Sequence, residues 1–261
     1  MKQNWKIIDL IIKPNKSVLQ KSHCMIPTPI KIKKNIFRIY YASRDKKKVS
    51  RIFFSDYDLL KKRIVKSPKN LVLDIGKLGA FDDNGVNPSS LIKHNNKDFL
   101  FYIGWNKKSK VRMNLFGGIS SKKLKKNKFE RVLESPIIER SKYDHLFNTA
   151  PFVIKKNKLF VMYYCSTFKW INELTPCYSI KLCTSKNLLD WNRRKEYCIK
   201  LKKKEYAIGR PYVIYHKNIY KMWYSYKKNN YQIGYAESKD GISWKRKDKL
   251  IKFYNPKKFN F

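Results

Sequence analysis

Neighbouring carboxyl groups can divide acid and base work between them when their surroundings hold their pKa values apart. This 261-residue chain carries one such pair, Asp82-Asp83, followed by Asn84-Gly85. The pair reads as a catalytic acid and base, as a polar clamp on a ligand, or as a β-turn closed by an Asx hydrogen bond. Asp144-His145 offers a second acid, or a carboxylate that orients an imidazole. Glu173 follows Trp170, and a ring with a carboxylate suits the lip of a binding site; a solvated loop residue fits equally. His23 reads as a proton carrier, a hydroxyl partner or a structural histidine. Arg210, directly before Pro211, suits an anionic group gripped by its planar fork, or a salt bridge between sheets. Arg44-Asp45 reads as a local ion pair or a ligand contact, while Asn87 and Thr149 add short polar side chains close to Pro88 and Pro151.

Metal chemistry finds no support. The five cysteines (Cys24, Cys165, Cys177, Cys183, Cys198) form no C-x-x-C pair, and only four histidines are available. An odd number of cysteines, without a secretory signal in Met1 to Ile12, reads as reduced thiols in a cytoplasmic chain. No metal or cofactor is expected. No apolar run approaches the ~18 to 20 residues that cross a bilayer. Sixty basic residues against nineteen acidic ones give a formal net charge of +41. Lysine dominates, however, and its pairs are scattered (Lys33-Lys34, Lys107-Lys108, Lys155-Lys156, Lys227-Lys228). Sequence-reading nucleic-acid proteins concentrate arginine on one face. The charge therefore predicts weak, salt-sensitive attraction to polyanions and no specific nucleic-acid partner.

What must position these residues is a repeat. A proline opens a short apolar run at Pro27, Pro88, Pro151 and Pro211, spaced 61, 63 and 60 residues apart. Each run meets a polar turn such as His94-Asn95-Asn96 or His216-Lys217-Asn218. An aromatic strand then follows, such as Phe99-Leu-Phe-Tyr-Ile-Gly-Trp105 or Leu159-Phe-Val-Met-Tyr-Tyr164, and then a third run such as Tyr178-Ser-Ile or Tyr231-Gln-Ile. Short strands joined by polar turns at regular spacing predict antiparallel sheets, and four strands per repeat predict the blades of a β-propeller. Ser238-Lys-Asp-Gly-Ile-Ser-Trp244, echoed by Ser185-Lys-Asn-Leu-Leu-Asp-Trp191, reads as a structural turn whose tryptophan packs between blades. The expected fold class is all-β, one propeller domain over 1–261. Its four-stranded antiparallel blades fall at about 22–78, 79–140, 141–203 and 204–252, and a fifth is incomplete or missing, with 1–21 and 253–261 left for a partial one.

The blade pattern resembles the five-bladed propeller superfamily of glycoside hydrolases that includes families 43, 32, 62 and 130. Phe81-Asp-Asp-Asn-Gly-Val-Asn-Pro-Ser-Ser90, Tyr102-Ile-Gly-Trp-Asn106, Gly209-Arg-Pro211 and Met222-Trp-Tyr-Ser-Tyr226 look like an uncharacterised branch that accompanies bacterial surface-polysaccharide genes. The resemblance implies a central funnel lined by the first strand of each blade, with three carboxylates near those strands doing hydrolysis. Cleavage of a glycosidic bond uses one carboxyl to protonate the leaving oxygen and another to attack or to activate water. This chain departs from that set. Ser22 to Ile26 holds no Asp before Pro27, Asn87 stands beside Pro88, and Asn148-Thr149-Ala150 stands where the acid is expected.

The expectation is a carbohydrate-active, glycosidase-like propeller that acts on or binds a glycan or sugar-containing molecule. A non-catalytic glycan-binding module is the alternative, and a polyanion-binding scaffold a minor one. Asp82 and Asp83 are the catalytic candidates. His23, Arg44, Asn87, Asp144, His145, Thr149, Glu173 and Arg210 are the binding candidates, and His23, Asn87, Thr149 and Arg210 are expected to converge at one mouth.

Overall fold

The computed structural model describes residues 2–7, 9–67, 71–123 and 126–254. The strand β1 (Gln3–Lys6) precedes four antiparallel sheets. The first blade holds β2 (Ser22–Lys31), β3 (Ile36–Arg44), β4 (Ser50–Asp58) and β5 (Arg63–Lys66). The second holds β6 (Val86–His94), β7 (Lys97–Lys107), β8 (Met113–Lys123) and β9 (Glu130–Arg131). The third holds β10 (Asn148–Lys156), β11 (Leu159–Asn172), β12 (Thr175–Ser185) and β13 (Asn192–Tyr197). The fourth holds β14 (Ala207–His216), β15 (Ile219–Lys227), β16 (Tyr231–Ser238) and β17 (Lys245–Arg246). A short 3-10 turn at Asp248–Leu250 leads into β18 (Ile251–Tyr254), which pairs with β1 in parallel. Blades three and four also touch through one parallel bridge, Tyr178 to Ala207.

Stacked blades bury both faces of their second strands, so the centres of these strands are largely apolar while their side chains still alternate. In β11, Phe160, Met162 and Tyr164 face Phe101, Ile119 and Ile138 of blade two. The intervening Val161 and Tyr163 face Ile208, Met222 and Tyr224 of blade four. In β7, Leu100 and Tyr102 face Tyr40, Ile52 and Phe54 of blade one, whereas Phe101 faces blade three. Moving any of these strands by one residue would exchange its two partner blades. The terminal ribbon rests on blade four, where Trp223 Nε1 donates to Gln3 Oε1 at 2.9 Å and the Trp5 and Trp223 rings meet edge to face. Residues 255–261, named above for a partial blade, lie outside the described residues.

The turns do what their residue types suggest. His94–Lys97 and His216–Ile219 are two-residue hairpins in which Asn95, Asn96, Lys217 and Asn218 all have positive φ, the twist that suits paired strands. Asp240 Oδ1 accepts from the amides of Ile242 and Ser243, while Gly241 takes φ +74°. Those bonds hold the Asp240 carboxyl at a pKa of about 2. Tyr163 donates to the Gly241 carbonyl and packs edge to face on Trp244. One blade earlier Asn187 takes the same role for Leu189 and Asp190, and Trp191 packs on Phe101. Each of these turns thus pins its blade to the one before it.

Candidate functional site

The four opening prolines meet at the centre. Arg210 donates to the carbonyls of Pro27 (3.2 Å) and Pro88 (3.4 Å), and Ser90 Oγ donates to the carbonyl of Pro151 (2.9 Å). The first strand of every blade breaks register at this level. In blades one, three and four the residue before the proline is left-handed: Ile26 (φ +57°), Ala150 (φ +52°) and Arg210 (φ +52°). Such a conformation costs a non-glycine residue about 1 to 3 kcal/mol, so its recurrence marks a shape that the surrounding blades impose.

Above these bulges lies a funnel of about 610 Å³. Ile26, Thr149, Ala150, Gly209 and Arg210 line it from the first strands, and Ile103, Leu115 and Cys165 from the strands behind. The hairpins between second and third strands form its rim, because they emerge at the end where the first strands begin. They contribute Arg112, Leu174 and Tyr231, and the main-chain amide of Arg112 donates to the Glu173 carbonyl. One wall is aromatic: Tyr178, Tyr206 and Tyr231 line it, with the Tyr178 and Tyr231 hydroxyls 3.0 Å apart. The Lys227 ammonium stands 4.9 Å from the centroid of the Tyr231 ring and 5.6 Å from that of Tyr206. Burial pushes the Cys165 thiol up to about 11, so it is neutral and acts as an apolar wall. Burial also lowers the Arg210 guanidinium to about 10, which leaves it charged at neutral pH. No Asp or Glu is among the described residues that line the funnel.

Of the four residues expected at one mouth, Thr149 and Arg210 line the funnel. His23 does not. Strand β2 breaks register twice, between Ser22 and Met25 and between Met25 and Thr28, and the extra bulge turns His23 out to solvent, where it meets Ser22 Oγ at 2.9 Å. Ile26 takes the place that His23 was expected to fill. Asn87 is buried beside Pro88, and its Oδ1 finds no partner among the described residues. Arg44 lies over the Trp105 ring at 5.6 Å, its charge disfavoured by burial and by Arg112 nearby. His145 and Glu173 are exposed.

The carboxylates are elsewhere, in sockets that the blades repeat. Asp82 is fully buried and accepts from Tyr102 (3.0 Å) and Arg131 (2.7 Å). Asp144, 1% exposed, accepts from Tyr164 (3.0 Å), Ser166 (2.7 Å) and Lys181 (2.7 Å), with Arg193 at 3.5 Å. Glu205 is gripped by Arg246, which also pairs with Asp248, the acceptor for Tyr224. Asp82, Asp144 and Glu205 lie six or seven residues before their blade's proline, and Gln20 occupies that place in blade one, accepting from Tyr41. Burial pushes the Asp144 carboxyl up, but the bonds from Lys181, Ser166 and Tyr164 outweigh it and hold the group below its usual value. Asp83, read with Asp82 as a reactive pair, instead ties its own loop, accepting from the Gly79 amide and from Asn106.

Sequence reasoning passed over the tyrosine wall, Arg112 and Lys227. A signal existed: Tyr178 and Tyr231 recur near the start of the third strand of their blade. All five cysteines are free thiols. Among the described residues no three His, Cys, Asp or Glu side chains cluster as metal ligands, and no helix is long and apolar enough to cross a membrane.

No protein-family model matches the chain. It is 28% identical over 248 residues to the uncharacterized protein Rv1502 of Mycobacterium tuberculosis, covering 93% of this chain and 82% of that one. Among solved structures it superposes on BT0996 in an RGII complex with a TM-score of 0.70 at 18% identity, covering 91% of this protein and 76% of the other. It superposes equally, at a TM-score of 0.70 and 13% identity, on the Cellvibrio cellulosa alpha-L-arabinanase complexed with arabinohexaose, over 96% of this protein and 89% of that one. The fold is a β-propeller, as the sequence implied, and it is the fold of those solved structures.

Proposed function

We propose that this protein is a carbohydrate-active propeller that holds a glycan in the funnel between its blades. The observation that carries the reading is the wall of Tyr178, Tyr206 and Tyr231 at the mouth of a funnel otherwise lined by apolar side chains and a few polar groups. Flat rings with hydroxyl tips suit the apolar faces and hydroxyl edges of sugar rings. Solved structures of the same fold include an arabinanase complexed with arabinohexaose and an RGII complex of BT0996, which supports a sugar partner.

Recognition fits this funnel better than hydrolysis by paired carboxylates. Hydrolysis in the usual way needs two carboxyl groups about 5 to 9.5 Å apart across the bond to be cut. The buried carboxylates here already hold arginines, lysine and tyrosines. Two acids directly precede lining residues: Glu205, before Tyr206, is held by Arg246, and Glu173, before Leu174 on a rim hairpin, is exposed. A glycan array followed by titration of the best ligand tests the reading. Tyr231→Ala, at an exposed position, is expected to weaken binding at least tenfold and to leave the unfolding temperature in place. Equal binding by Tyr231→Ala and the parent would sink the assignment to this wall. Turnover of aryl glycosides that vanished in Glu173→Gln would establish hydrolysis instead.

A further inference from the structure

The funnel has a charge of its own, separate from the lysines scattered over the surface. Arg112, Arg210 and Lys227 line it, and Arg44 lies close to Arg112. Among the described residues none of the four has a carboxylate at salt-bridge distance. The half-buried arginines elsewhere in the blades are paired: Arg38 with Asp56, Arg51 with Asp45 and Asp74, Arg131 with Asp82, Arg193 with Asp144, Arg246 with Glu205 and Asp248. Arg210 uses two of its five N–H groups on the carbonyls of Pro27 and Pro88, which are neutral acceptors. Those bonds fix the guanidinium at the centre of the ring without cancelling its charge. Thr149 Oγ1, on the funnel wall and 7% exposed, and Arg44 Nε each lack a hydrogen-bond partner among the described residues. Buried polar atoms are rarely left so, and an unpartnered hydroxyl on a wall shared with fixed cations is what a bound oxyanion would satisfy.

Resting on the glycan reading above, the geometry points to an acidic sugar as the ligand: a carboxylate, sulfate or phosphate group docks on Arg210 and Thr149 at the floor. Arg112 and Lys227 face its ring from the mouth, and the tyrosines stack against it. The three oxyanions share the planar or tripodal oxygen set that an arginine fork reads. Nothing in the funnel separates them by charge alone, so the ligand series must.

Calorimetric titration of the full chain with glucose, glucuronate, glucose 6-sulfate and glucose 6-phosphate, in ~50 and ~300 mM salt, separates the arms. At least one acidic sugar is expected to bind about tenfold or more tightly than glucose, since hydrogen bonds to charged groups are the strong ones. The arm that wins names the oxyanion. Arg210→Gln is expected to abolish that preference; because Arg210 also ties two first strands together, Arg112→Ala at the exposed rim provides a second variant. It is expected to weaken the acidic sugar about tenfold and glucose less than twofold. Lys186→Ala, in an exposed turn of blade three, controls for the overall positive charge and is expected to change neither. Glucose and its acidic derivatives binding alike would overturn the inference and leave the glycan reading standing. A loss in Lys186→Ala equal to that in Arg112→Ala would also overturn it, because general attraction would then account for the binding. Failure of every sugar, and of the glycan array, would remove both.

Discussion

The sockets between the blades and the funnel at their centre handle charge in opposite ways. In the third-blade socket Asp144 lies 1% exposed, and the side chain of its partner Lys181 is 2% exposed. Tyrosine and serine hydroxyls occupy the remaining oxygen positions. In the funnel, Arg210 is held by neutral carbonyls and faces open space. A charge neutralised on every side contributes to one fold and to nothing else. A charge held in place but not neutralised retains a field that a ligand can use. The location of carboxylates in this sequence is therefore a guide to how the blades are fastened, and the location of cations without carboxylates is the guide to the site.

The largest effect should come from breaking a socket. Asp144→Asn leaves Lys181 and Arg193 without their counter-charge inside the protein, and removal of one partner from a buried pair costs about 3 to 5 kcal/mol. For a domain of this size the unfolding midpoint should fall by roughly 10 °C, read by calorimetry. Replacing an unpaired funnel cation should cost far less. The comparison would fail if Asp144→Asn and Arg112→Ala were equally stable.

Acid should act on the sockets as well. Asp144, Glu205 and Asp248 are each held below the usual carboxylate value in the folded chain, the bonds from cationic and hydroxyl partners outweighing the cost of burial. Groups with depressed folded values contribute stability that is complete above the unfolded value, about 4, and is lost as pH falls through the folded ones. Urea midpoints measured from about pH 6 down to about pH 2 should decline in that window, and the decline should be shallower in Asp144→Asn. An equal slope in both proteins would mean that this socket does not couple protonation to folding.

The turns that pin neighbouring blades come next. Trp244→Ala removes a ring that packs on Tyr163 and should cost about 3 kcal/mol, at the low end for a tryptophan because the side chain is only half-buried. Asp240→Ala removes the acceptor for two turn amides and should cost about 1 kcal/mol. Both losses are expected in chemical denaturation without loss of glycan affinity, since neither residue lines the funnel.

Much of this was legible in the sequence because it is local. The four prolines, the asparagine turns and the aromatic alternation of Leu159 to Tyr164 depend on residues within one strand or hairpin, and the structure follows them. What failed depends on distance or on register. Nothing near Asp82 in sequence says that Arg131, forty-nine residues later, neutralises it. His23 was placed by its nearness to Pro27, but two bulges in one strand hand that position to Ile26. The tyrosine wall was hidden for a third reason. Tyr178 and Tyr231 sit in their strands as ordinary β-formers do, and only the stacking of adjacent blades brings their hydroxyls within 3.0 Å.

That contact supplies the smallest effect and the sharpest division between the two regions. Tyr178→Phe removes one hydroxyl from a bond to Tyr231, a residue 58% exposed. Water can replace the lost partner at an open rim, so stability should change by about 0.5 kcal/mol or less. Tyr178 also lines the funnel, and on the glycan reading the loss of its hydroxyl removes one sugar hydrogen bond and the fixed pose of the Tyr231 ring. Affinity for the best glycan should therefore fall several-fold while the unfolding curve overlays that of the parent. The opposite pattern, a lowered midpoint with unchanged affinity, would move this pair of tyrosines from the site to the scaffold. It would leave the cations alone to define what the funnel binds.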